Sequence, residues 1–381
     1  MKLAIIGQGY VGRSIAEAAL TASHVVVGFD TNSSLIASLE KKQGYIPTTD
    51  ASLISDAQIV VIAVPTPLDD SRKPDLSAVK AACKTIIDFI KNPVLIINES
   101  TSYPGTLRNE IAAVIESASG IRHLYAASPE RVDPGNFKWT QKNTPRLLAG
   151  LTPEASILAR EFYASFCDEI VEVSTPEVAE VAKLFENTFR QINIALVNEF
   201  AQISEALEIP TRQVLDAAAT KPFGFMSFSP GPGVGGHCIP VDPSYLAYIA
   251  ESAGVPATFI RYANKVNLAM PVYVVSRVLK DVGSLQGKKV IVVGIAYKAN
   301  VSDVRETPAA LVMSALQKLG AEVFWHDSIV KTWNGQESSD LSGFDVAIVV
   351  TKHDDVSEMA IKASAPYVFD CTGSIKGVAG L

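Results

Sequence analysis

Met1 to Gly12 reads MKLAIIGQGYVG, an apolar run that ends in three closely spaced glycines. The run from Met1 to Ile6 predicts a buried β-strand, and Val11 to Leu20 has the apolar spacing of a helix. A second strand is predicted from Val25 to Phe29, and Asp30 follows it directly. Glycines between a strand and a helix, with an acid about 20 residues further on, form the fingerprint of a dinucleotide-binding unit.

Each residue type in this turn has a physical role in the predicted site. The first glycine allows the tight turn, the second lets a pyrophosphate approach the backbone, and the third lets the helix pack on the strand. An acid after the second strand binds ribose hydroxyls and favours NAD over NADP. The alternative is an ordinary turn without a ligand. The cofactor-binding residues predicted here are Gly7, Gly9, Tyr10, Val11, Gly12 and Asp30.

Three further buried strands are predicted, each followed by polar residues or proline. They run from Gln58 to Val64, from Val94 to Asn98 and from His123 to Ala127. In a doubly wound sheet the ligand lies at the carboxyl ends of the strands, so these residues are predicted to line the crevice. The alternative for each is loop capping. The residues concerned are Pro65, Thr66, Ser100, Thr101 and Glu130.

Composition limits the class of protein. The 381 residues are 48% hydrophobic and 19% charged, which suits a chain of two or three globular domains. We expect no signal peptide and no membrane span, and hence a cytoplasmic protein. The net charge of −7 disfavours nucleic acid and anionic membranes as partners. The four cysteines contain no C-x-x-C pair, so neither a metal site nor a disulfide framework is expected.

One cysteine lies in an unusual loop. Ser229 to Pro243 is rich in glycine and proline and carries Cys238, which predicts a tight loop with an exposed backbone. Asp242 and Pro243 predict a helix that begins there, with the aspartate as N-cap. A thiol beside a helix start is favoured as thiolate, so Cys238 is a candidate nucleophile. The alternative is an inert, buried cysteine.

A long helix is predicted from Thr175 to Glu208. Lys183 and Asn187 lie four residues apart on it and share a face, as do Glu186 and Arg190. Surface pairing is the simpler interpretation, and a chemical role requires that Lys183 face the Cys238 loop. The helix has apolar residues on more than one side, so we expect a homodimer joined through it. Alternatively, the apolar segment 245–278 covers this helix within one chain.

The C-terminal part repeats the strand–helix–strand pattern. Strands are predicted from Lys289 to Gly294 and from Glu322 to His326, with a helix after Thr307 and Pro308. The three glycines are missing, so no second dinucleotide site is expected. Lys298 and Arg305, in the intervening loop, suit a diphosphate.

Seven motifs together resemble the UDP-glucose/GDP-mannose dehydrogenase family along nearly the whole chain. The resemblance implies NAD-dependent oxidation of a nucleotide-sugar alcohol at C6 to a carboxylate, with two hydrides passed to two NAD molecules. Gly236 to Pro243 resembles the branch that acts on UDP-N-acetyl-hexosamines, and UDP-glucose is the alternative substrate. The motifs lie at positions 7–12, 64–76, 99–105, 128–136, 183–187, 235–243 and 294–308.

The family resemblance also implies the domain plan. The predicted fold class is α/β, with two Rossmann-like doubly wound domains joined by a long central helix and a helical middle domain. The expected boundaries are 1–174 for the NAD-binding domain, 175–280 for the central helical domain, and 281–381 for the UDP-sugar-binding domain. Two departures from the family are a shortened segment between Ile36 and Asp56 and the lack of an arginine shortly after Asp370.

Residue chemistry and resemblance together give the predicted mechanism. An aldehyde cannot release a second hydride until a nucleophile makes it tetrahedral, and Cys238 would supply that nucleophile, giving a thioester that water cleaves. Rival hypotheses are a one-step hydroxyacid dehydrogenase and an inactive nucleotide-sugar binder. His237 is left outside the catalytic set, and surface-polysaccharide precursor synthesis is the expected context. The predicted catalytic residues are Cys238, Lys183, Asn187, Asp242, Thr101 and Glu130; Arg305 joins the cofactor site. The predicted substrate-binding residues are Glu130, Arg131, Val132, Lys183, Asn187, Gly235, Gly236 and Lys298.

Overall fold

The computed structural model describes residues 1–39, 43–133, 135–136, 138–236 and 238–381. Contacts divide the chain into two units. The first unit comprises Met1–Glu186 and Ser244–Pro256, and the second comprises Asn187–Pro243 and Ala257–Leu381. The three-part domain division expected from the sequence stays a prediction.

Within the described residues of the first unit, eight strands form one sheet. Its strand order is β3-β2-β1-β4-β5-β6-β7-β8, and neighbouring strands are parallel except β6 and β7. Apolar strands such as IVVI at 59–62 are buried on both faces, as parallel strands covered by helices must be. The strands are β1 (Lys2–Ile6), β2 (Val25–Phe29), β3 (Tyr45–Thr48), β4 (Ile59–Ile62), β5 (Leu95–Asn98), β6 (Leu124–Ala127), β7 (Arg146–Gly150) and β8 (Ile170–Glu172).

The order of this sheet reverses between β1 and β4. The chain moves outward from β1 to β3 on one side and from β4 to β6 on the other. A ligand crevice forms at such a switch point, outside the carboxyl ends of the strands. The helices before the second unit are α1 (Tyr10–Thr21), α2 (Ser33–Ser38), α3 (Ser77–Phe89), α4 (Ala113–Ser119) and α5 (Pro153–Ala164), with a 3-10 turn at Ala51–Ile54 and a π-helical segment at Thr106–Ala112.

The described part of the second unit contains a five-stranded parallel sheet in the order β10-β9-β13-β14-β15. Its core includes Val290, Val292, Trp325 and Phe369, all buried. The strands are β9 (Lys289–Val293), β10 (Glu322–His326), β13 (Val346–Val349), β14 (Tyr367–Asp370) and β15 (Ala379–Gly380), and a separate hairpin joins β11 (Thr332–Trp333) to β12 (Gln336–Glu337). The two Rossmann-like sheets confirm the predicted fold class.

Two helices contain the boundary between the units. The predicted long helix is present as α6 (Pro176–Ala206), and the other is α8 (Cys238–Ser252). Further helices are α7 (Thr211–Ala219), α9 (Thr258–Val282), α10 (Pro308–Lys318) and α11 (Glu358–Ser364). None of the helices described here is both long and apolar enough to cross a bilayer.

The predicted start of α8 was wrong. The helix begins at Cys238 and not at Pro243, which lies inside it. Proline at this place cannot donate the helical hydrogen bond from residue 243 to residue 239. The prediction relied on the preference of proline for the first helical position. Cys238 therefore lies on the first turn of the helix itself.

Candidate active site

The turn between β1 and α1 has the geometry of a dinucleotide cradle. Gly7 has a φ of 96°, and a Cβ there would lie 2.3 Å from the Ala63 carbonyl oxygen. A Cβ on Gly12 would lie 1.9 Å from the Gly7 carbonyl oxygen. A Cβ on Gly9 would have no described atom within 4 Å, and α1 has no side-chain cap. The open start of α1 can therefore receive a pyrophosphate on backbone N–H groups.

Asp30 completes this cradle at the end of β2. Its carboxylate accepts hydrogen bonds from the backbone N–H groups of Gln8 (2.7 Å) and Asn32 (2.9 Å). These bonds hold the acid beside the glycine turn, where ribose hydroxyls of a bound dinucleotide would lie. Tyr10 and Val11 form the first turn of α1. The residues present fit NAD.

The polar residues after β4 and β5 have different surroundings. Pro65 is exposed, Thr66 is buried and Thr101 is half-buried. The Ser100 hydroxyl lies 2.9 Å from both the backbone nitrogen and the carbonyl oxygen of Val64. Loop capping therefore accounts for the Ser100 hydroxyl, which joins the ends of two neighbouring strands.

Glu130, after β6, is a buried carboxylate with several donors. It accepts hydrogen bonds from the backbone N–H groups of Arg131 (2.6 Å) and Val132 (2.5 Å) and from Gln141 Nε2 (2.6 Å). Arg146 Nη2 lies 3.4 Å from it. Burial opposes its ionisation, but the Arg146 charge and these hydrogen bonds hold the pKa of Glu130 below its usual value.

Arg131 makes a contact that the sequence interpretation missed. Its Nη2 lies 2.8 Å from Glu186, and its Nη1 donates to the Pro145 carbonyl oxygen at 2.7 Å. The expected interaction of Glu186 was with Arg190, one turn away. The actual partner is far away in sequence because the loop after β6 lies against α6. The Arg131 guanidinium is thus engaged within the protein.

In the second unit, Cys238 and Asp242 lie four residues apart on α8. Cys238 is exposed and Asp242 is buried. Asn187 on α6 donates from Nδ2 to Asp242 Oδ2 at 2.6 Å. Lys183, also buried, lies one turn before Asn187 on the same face of α6. A thiol at a helix N-terminus is favoured as thiolate, the nucleophilic form. His237 lies outside the described residues.

The glycines before Cys238 pack closely against the loop after β9. A Cβ on Gly235 or Gly236 would lie 2.7 or 2.9 Å from the Tyr297 side chain. The Gly236 N–H donates to the Arg305 carbonyl oxygen at 3.0 Å. These contacts require glycine at both positions and fix the approach to the thiol.

Arg305 and Lys298 lie on that same loop. Lys298 is half-buried, and Arg305 Nη2 lies 2.5 Å from Asp303. The hydrogen bond to Asp303 raises the pKa of Arg305 against burial, and the charges of Asp303 and Cys238 act in the same direction. Arg305 is therefore within electrostatic reach of Cys238. Its role toward the cofactor stays a prediction.

Asp327, after β10, occupies the place that Asp30 has after β2. It is buried and accepts hydrogen bonds from the N–H groups of residues 295, 296, 329 and 330. His353 Nε2 lies 3.0 Å from it, and the Asn300 N–H donates to His353 Nδ1. Despite burial, these donors hold the pKa of Asp327 well below its usual value. The Asp327 carboxylate is thus engaged within its own unit, and the lack of a second dinucleotide site stays a prediction.

A buried polar cluster escaped the sequence interpretation altogether. Glu99, directly after β5, lies 2.7 Å from Arg146 Nη1 and accepts a hydrogen bond from the Tyr163 hydroxyl. Arg146 also donates to Gln141. The available signal was a charged residue at the start of the apolar strand RLLAG at 146–150, which calls for a buried partner.

These features define a class. A doubly wound sheet with an open glycine turn, followed by a second parallel sheet and a cysteine at a helix start, describes an NAD-binding α/β protein with a candidate thiol nucleophile. Comparison with known families is more specific. Three models of the UDP-glucose/GDP-mannose dehydrogenase family match: the NAD binding domain at residues 45–167, the central domain at 177–269, and the UDP binding domain at 291–377. The chain belongs to this family, and NAD is its cofactor.

Similar proteins cover most or all of the chain. Protein CapL of Staphylococcus aureus is 33% identical over 98% of this chain and 96% of its own length. The UDP-N-acetyl-D-glucosamine 6-dehydrogenase of Pseudomonas aeruginosa is 34% identical over 85% of this chain and 82% of its own. The solved UDP-D-ManNAc dehydrogenase of Pyrococcus horikoshii has a TM-score of 0.89 and 28% identity, and covers 100% of this chain and 99% of its own.

Proposed function

We propose that the protein oxidises the C6 alcohol of a UDP-N-acetyl-hexosamine to the uronic acid in two NAD-dependent steps. The observation that carries this proposal is Cys238 on the first turn of α8, one turn before the buried Asp242–Asn187 pair. The relatives named for N-acetylglucosamine and N-acetylmannosamine nucleotides support the substrate class. UDP-glucose is the second candidate substrate, on the family description.

The chemistry explains the need for the thiol. One alcohol, two NAD and one water give one carboxylate, two NADH and three protons. NAD, when bound, takes the hydride in each oxidation. Between the oxidations, Cys238 attacks the aldehyde carbon, and the second hydride leaves from the resulting thiohemiacetal. Water then attacks the thioester carbon, and the Cys238 thiolate leaves.

Other residues have supporting roles in this proposal. Lys183 and Asn187 stabilise the oxyanion by charge and hydrogen bonding. Asp242 and Thr101 hold the water and move protons, and Glu130 is a second acid–base group. Val132, Gly235, Gly236, Arg131 and Lys298 form the substrate site. The engaged guanidinium of Arg131 restricts that residue to backbone contacts or to positioning.

We further propose a homodimer in the cytoplasm that supplies a precursor for surface polysaccharide. A row of apolar side chains on one face of α6 is exposed in the single chain, including Phe185 at 63% and Leu196 at 65%. The row consists of Val178, Phe185, Phe189, Leu196 and Ile203. Consecutive members are four or seven residues apart, so they lie on one stripe of the helix, which a second copy of the chain would cover. A reactive, exposed thiol also suits a reducing compartment.

A panel of UDP-sugars tests the function. With UDP-N-acetylglucosamine, UDP-N-acetylmannosamine and UDP-glucose, we expect NADH from at least one N-acetyl-hexosamine substrate, at two NADH per sugar consumed. Absorbance and product mass give the ratio. A ratio near one would contradict the thioester route, and exclusive use of UDP-glucose would favour the second candidate. No NADH with any of the three would rule out both.

A further inference from the structure

The cluster of Glu99, Arg146 and Glu130 is shielded from solvent. Their side chains are 0%, 4% and 9% exposed. Arg146 Nη1 lies 2.7 Å from Glu99 Oε1, and Nη2 lies 3.4 Å from Glu130 Oε2. The guanidinium also lies 4.3 Å from the centre of the Tyr163 ring. One cation therefore serves two carboxyl groups in a dry environment.

Charge balance favours one proton on this cluster. With both carboxyl groups ionised, the guanidinium that they share neutralises only one of them, and a second buried cation, Lys183, favours ionisation of Glu130. Burial of an unbalanced charge is costly, and neutralisation of one carboxyl group removes that cost. Because the two groups share Arg146, they titrate as a pair.

The hydrogen bonds are distributed unequally between the two carboxyl groups. Glu130 receives four donors, from two backbone N–H groups, Gln141 and Arg146. Glu99 receives two, from Arg146 and the Tyr163 hydroxyl, and its buried Oε2 has no hydrogen-bond partner among the described residues. Donors stabilise the ionised form, so the ionised member is Glu130.

The pKa directions agree with this geometry. Burial raises the pKa of Glu99 to about 7, against the opposing effect of Arg146. The pKa of Glu130 lies below its usual value because the Arg146 charge and the hydrogen bond from Gln141 outweigh burial. At mildly acid pH the pair therefore holds a single proton.

We propose that Glu99 holds the proton of this pair and that Arg146 is a positioning residue, which keeps Glu130 ionised. The catalytic part of this inference rests on the proposed function, in which Glu130 is an acid–base group. In that role Glu130 starts as a carboxylate, so it can accept a proton from the reacting alcohol or water but has none to donate.

Infrared spectroscopy of the protein without substrate tests the protonation state. A protonated carboxyl group has a C=O stretch that a carboxylate lacks. Glu180, on α6, is another buried glutamate whose pKa is raised to about 7, so at about pH 6 we expect signals from Glu99 and Glu180. At about pH 6, Glu99→Gln should remove one signal and the control Glu180→Gln should remove the other. Glu130→Gln should keep the Glu99 signal but move its disappearance to lower pH, because the Glu130 charge helps to raise the pKa of Glu99.

Arg146→Gln tests the positioning role. Without the guanidinium, Glu130 should also become protonated, and a further carboxylic acid signal should appear at about pH 6. Tyr163→Phe is a second variant, which tests the protonated state of Glu99 even if Arg146→Gln does not fold. Loss of the Tyr163 hydroxyl bond should raise the pH at which the Glu99 signal disappears, since that bond favours the ionised form.

The outcomes separate this inference from the proposed function. A carboxylic acid signal that still titrates above the usual pKa of glutamate in Glu99→Gln, but is absent in Glu130→Gln, would overturn the assignment of the proton, whatever the enzyme acts on. For the catalytic part, Glu130→Gln should lower kcat/KM by at least about 100-fold. Wild-type kcat/KM in that variant would overturn the role of Glu130 as the base. Failure of all UDP-sugars would overturn the function but leave the infrared result intact.

Discussion

At the scale of single residues, the position of Cys238 distinguishes it from the other three cysteines. The thiol is exposed, whereas the thiols of Cys83, Cys167 and Cys371 are buried. Burial raises the pKa of the Cys83 thiol to about 12, so such a group is a poor nucleophile at neutral pH. The first turn of α8 instead offers Cys238 a partial positive charge.

Replacement of this thiol tests its role. In Cys238→Ser we expect turnover to fall by at least about 1,000-fold, because a serine ester is cleaved far less readily than a thioester. NADH should form in a single burst and then stop, while NAD binding measured by calorimetry is unchanged. Rapid mixing with a UDP-sugar measures the burst.

Cys167→Ser is the matched control. The Cys167 thiol donates to the Gln141 carbonyl oxygen at 3.2 Å, and a serine hydroxyl can make the same bond. This variant should turn over at the wild-type rate. Steady turnover in Cys238→Ser would show that Cys238 is not the residue that forms the covalent intermediate with the sugar.

Residues close together in sequence were predictable, and distant partners were not. Two patterns could be predicted because each lies within one continuous stretch of sequence. They are the glycine turn followed by Asp30 and the glycine- and proline-rich loop that carries Cys238. Arg146 and Tyr163 both contact Glu99, from 47 and 64 positions further along the chain. No helical or strand periodicity relates positions so far apart. The buried Asp327–His353 pair escaped prediction for the same reason.

Among elements, α6 also caps another helical segment. The Glu180 carboxylate accepts hydrogen bonds from the backbone N–H groups of Gly105 (2.7 Å) and Leu107 (3.0 Å). These groups lie at the start of the π-helical segment Thr106–Ala112, which leaves N–H groups without helical partners. Burial nevertheless raises the pKa of Glu180 to about 7, against these bonds.

This raised pKa predicts an unusual dependence of stability on pH. Between about pH 4.5 and pH 7 the folded protein binds a proton at Glu180 that the unfolded chain has already released, so rising pH lowers the free energy of unfolding. Glu180→Gln removes this effect. The stability advantage of the wild type over the variant should shrink by roughly 1–3 kcal/mol between about pH 5 and pH 8. Urea unfolding at both pH values measures it.

Glu177→Gln is the control on the same helix. Arg108 lies 2.8 Å from Glu177, and their hydrogen bond lowers the pKa of that carboxyl group. Glu177 stabilises the folded protein above the pKa that this carboxyl group has in the unfolded chain, and this stabilisation is lost as pH falls. The pH dependence therefore has the opposite sign to that of Glu180. An advantage of the wild type over Glu180→Gln that grows with pH would contradict the prediction.

The ends of strands could be predicted where an apolar run is bounded by polar residues. Strands β2 and β10 begin and end at the predicted residues, since each is a largely apolar run bounded by polar residues. The start of α8 was misplaced by five residues because two rules conflicted there. Glycine and proline predicted a loop as far as Asp242, but the helix already begins at Cys238 and contains Pro243.

At the scale of the molecule, the proposed dimer is testable by mutation. The α6 stripe formed by Val178, Phe185, Phe189, Leu196 and Ile203 is exposed. A charge at its centre should separate the subunits, because burial of an unpaired carboxylate is costly. In Phe185→Glu and Leu196→Glu, light scattering at micromolar concentration should give half the wild-type mass.

Met359→Glu is the control for an added surface charge. Met359 lies on α11 and is 80% exposed, outside the stripe. Its replacement should leave the mass unchanged. A wild-type protein that is monomeric and active would rule out the proposed dimer.

The open glycine turn at Gly7 has a consequence for the timing of the proposed reaction. The turn at Gly7, with Asp30 beside it, fits a dinucleotide, and no second dinucleotide site is expected from the sequence, so one dinucleotide would be held at a time. The two oxidations proposed above then require that NADH depart and a fresh NAD arrive midway, while the half-oxidised sugar stays bound. Under the proposed function, the attachment of the sugar to the protein must therefore outlast one exchange of cofactor.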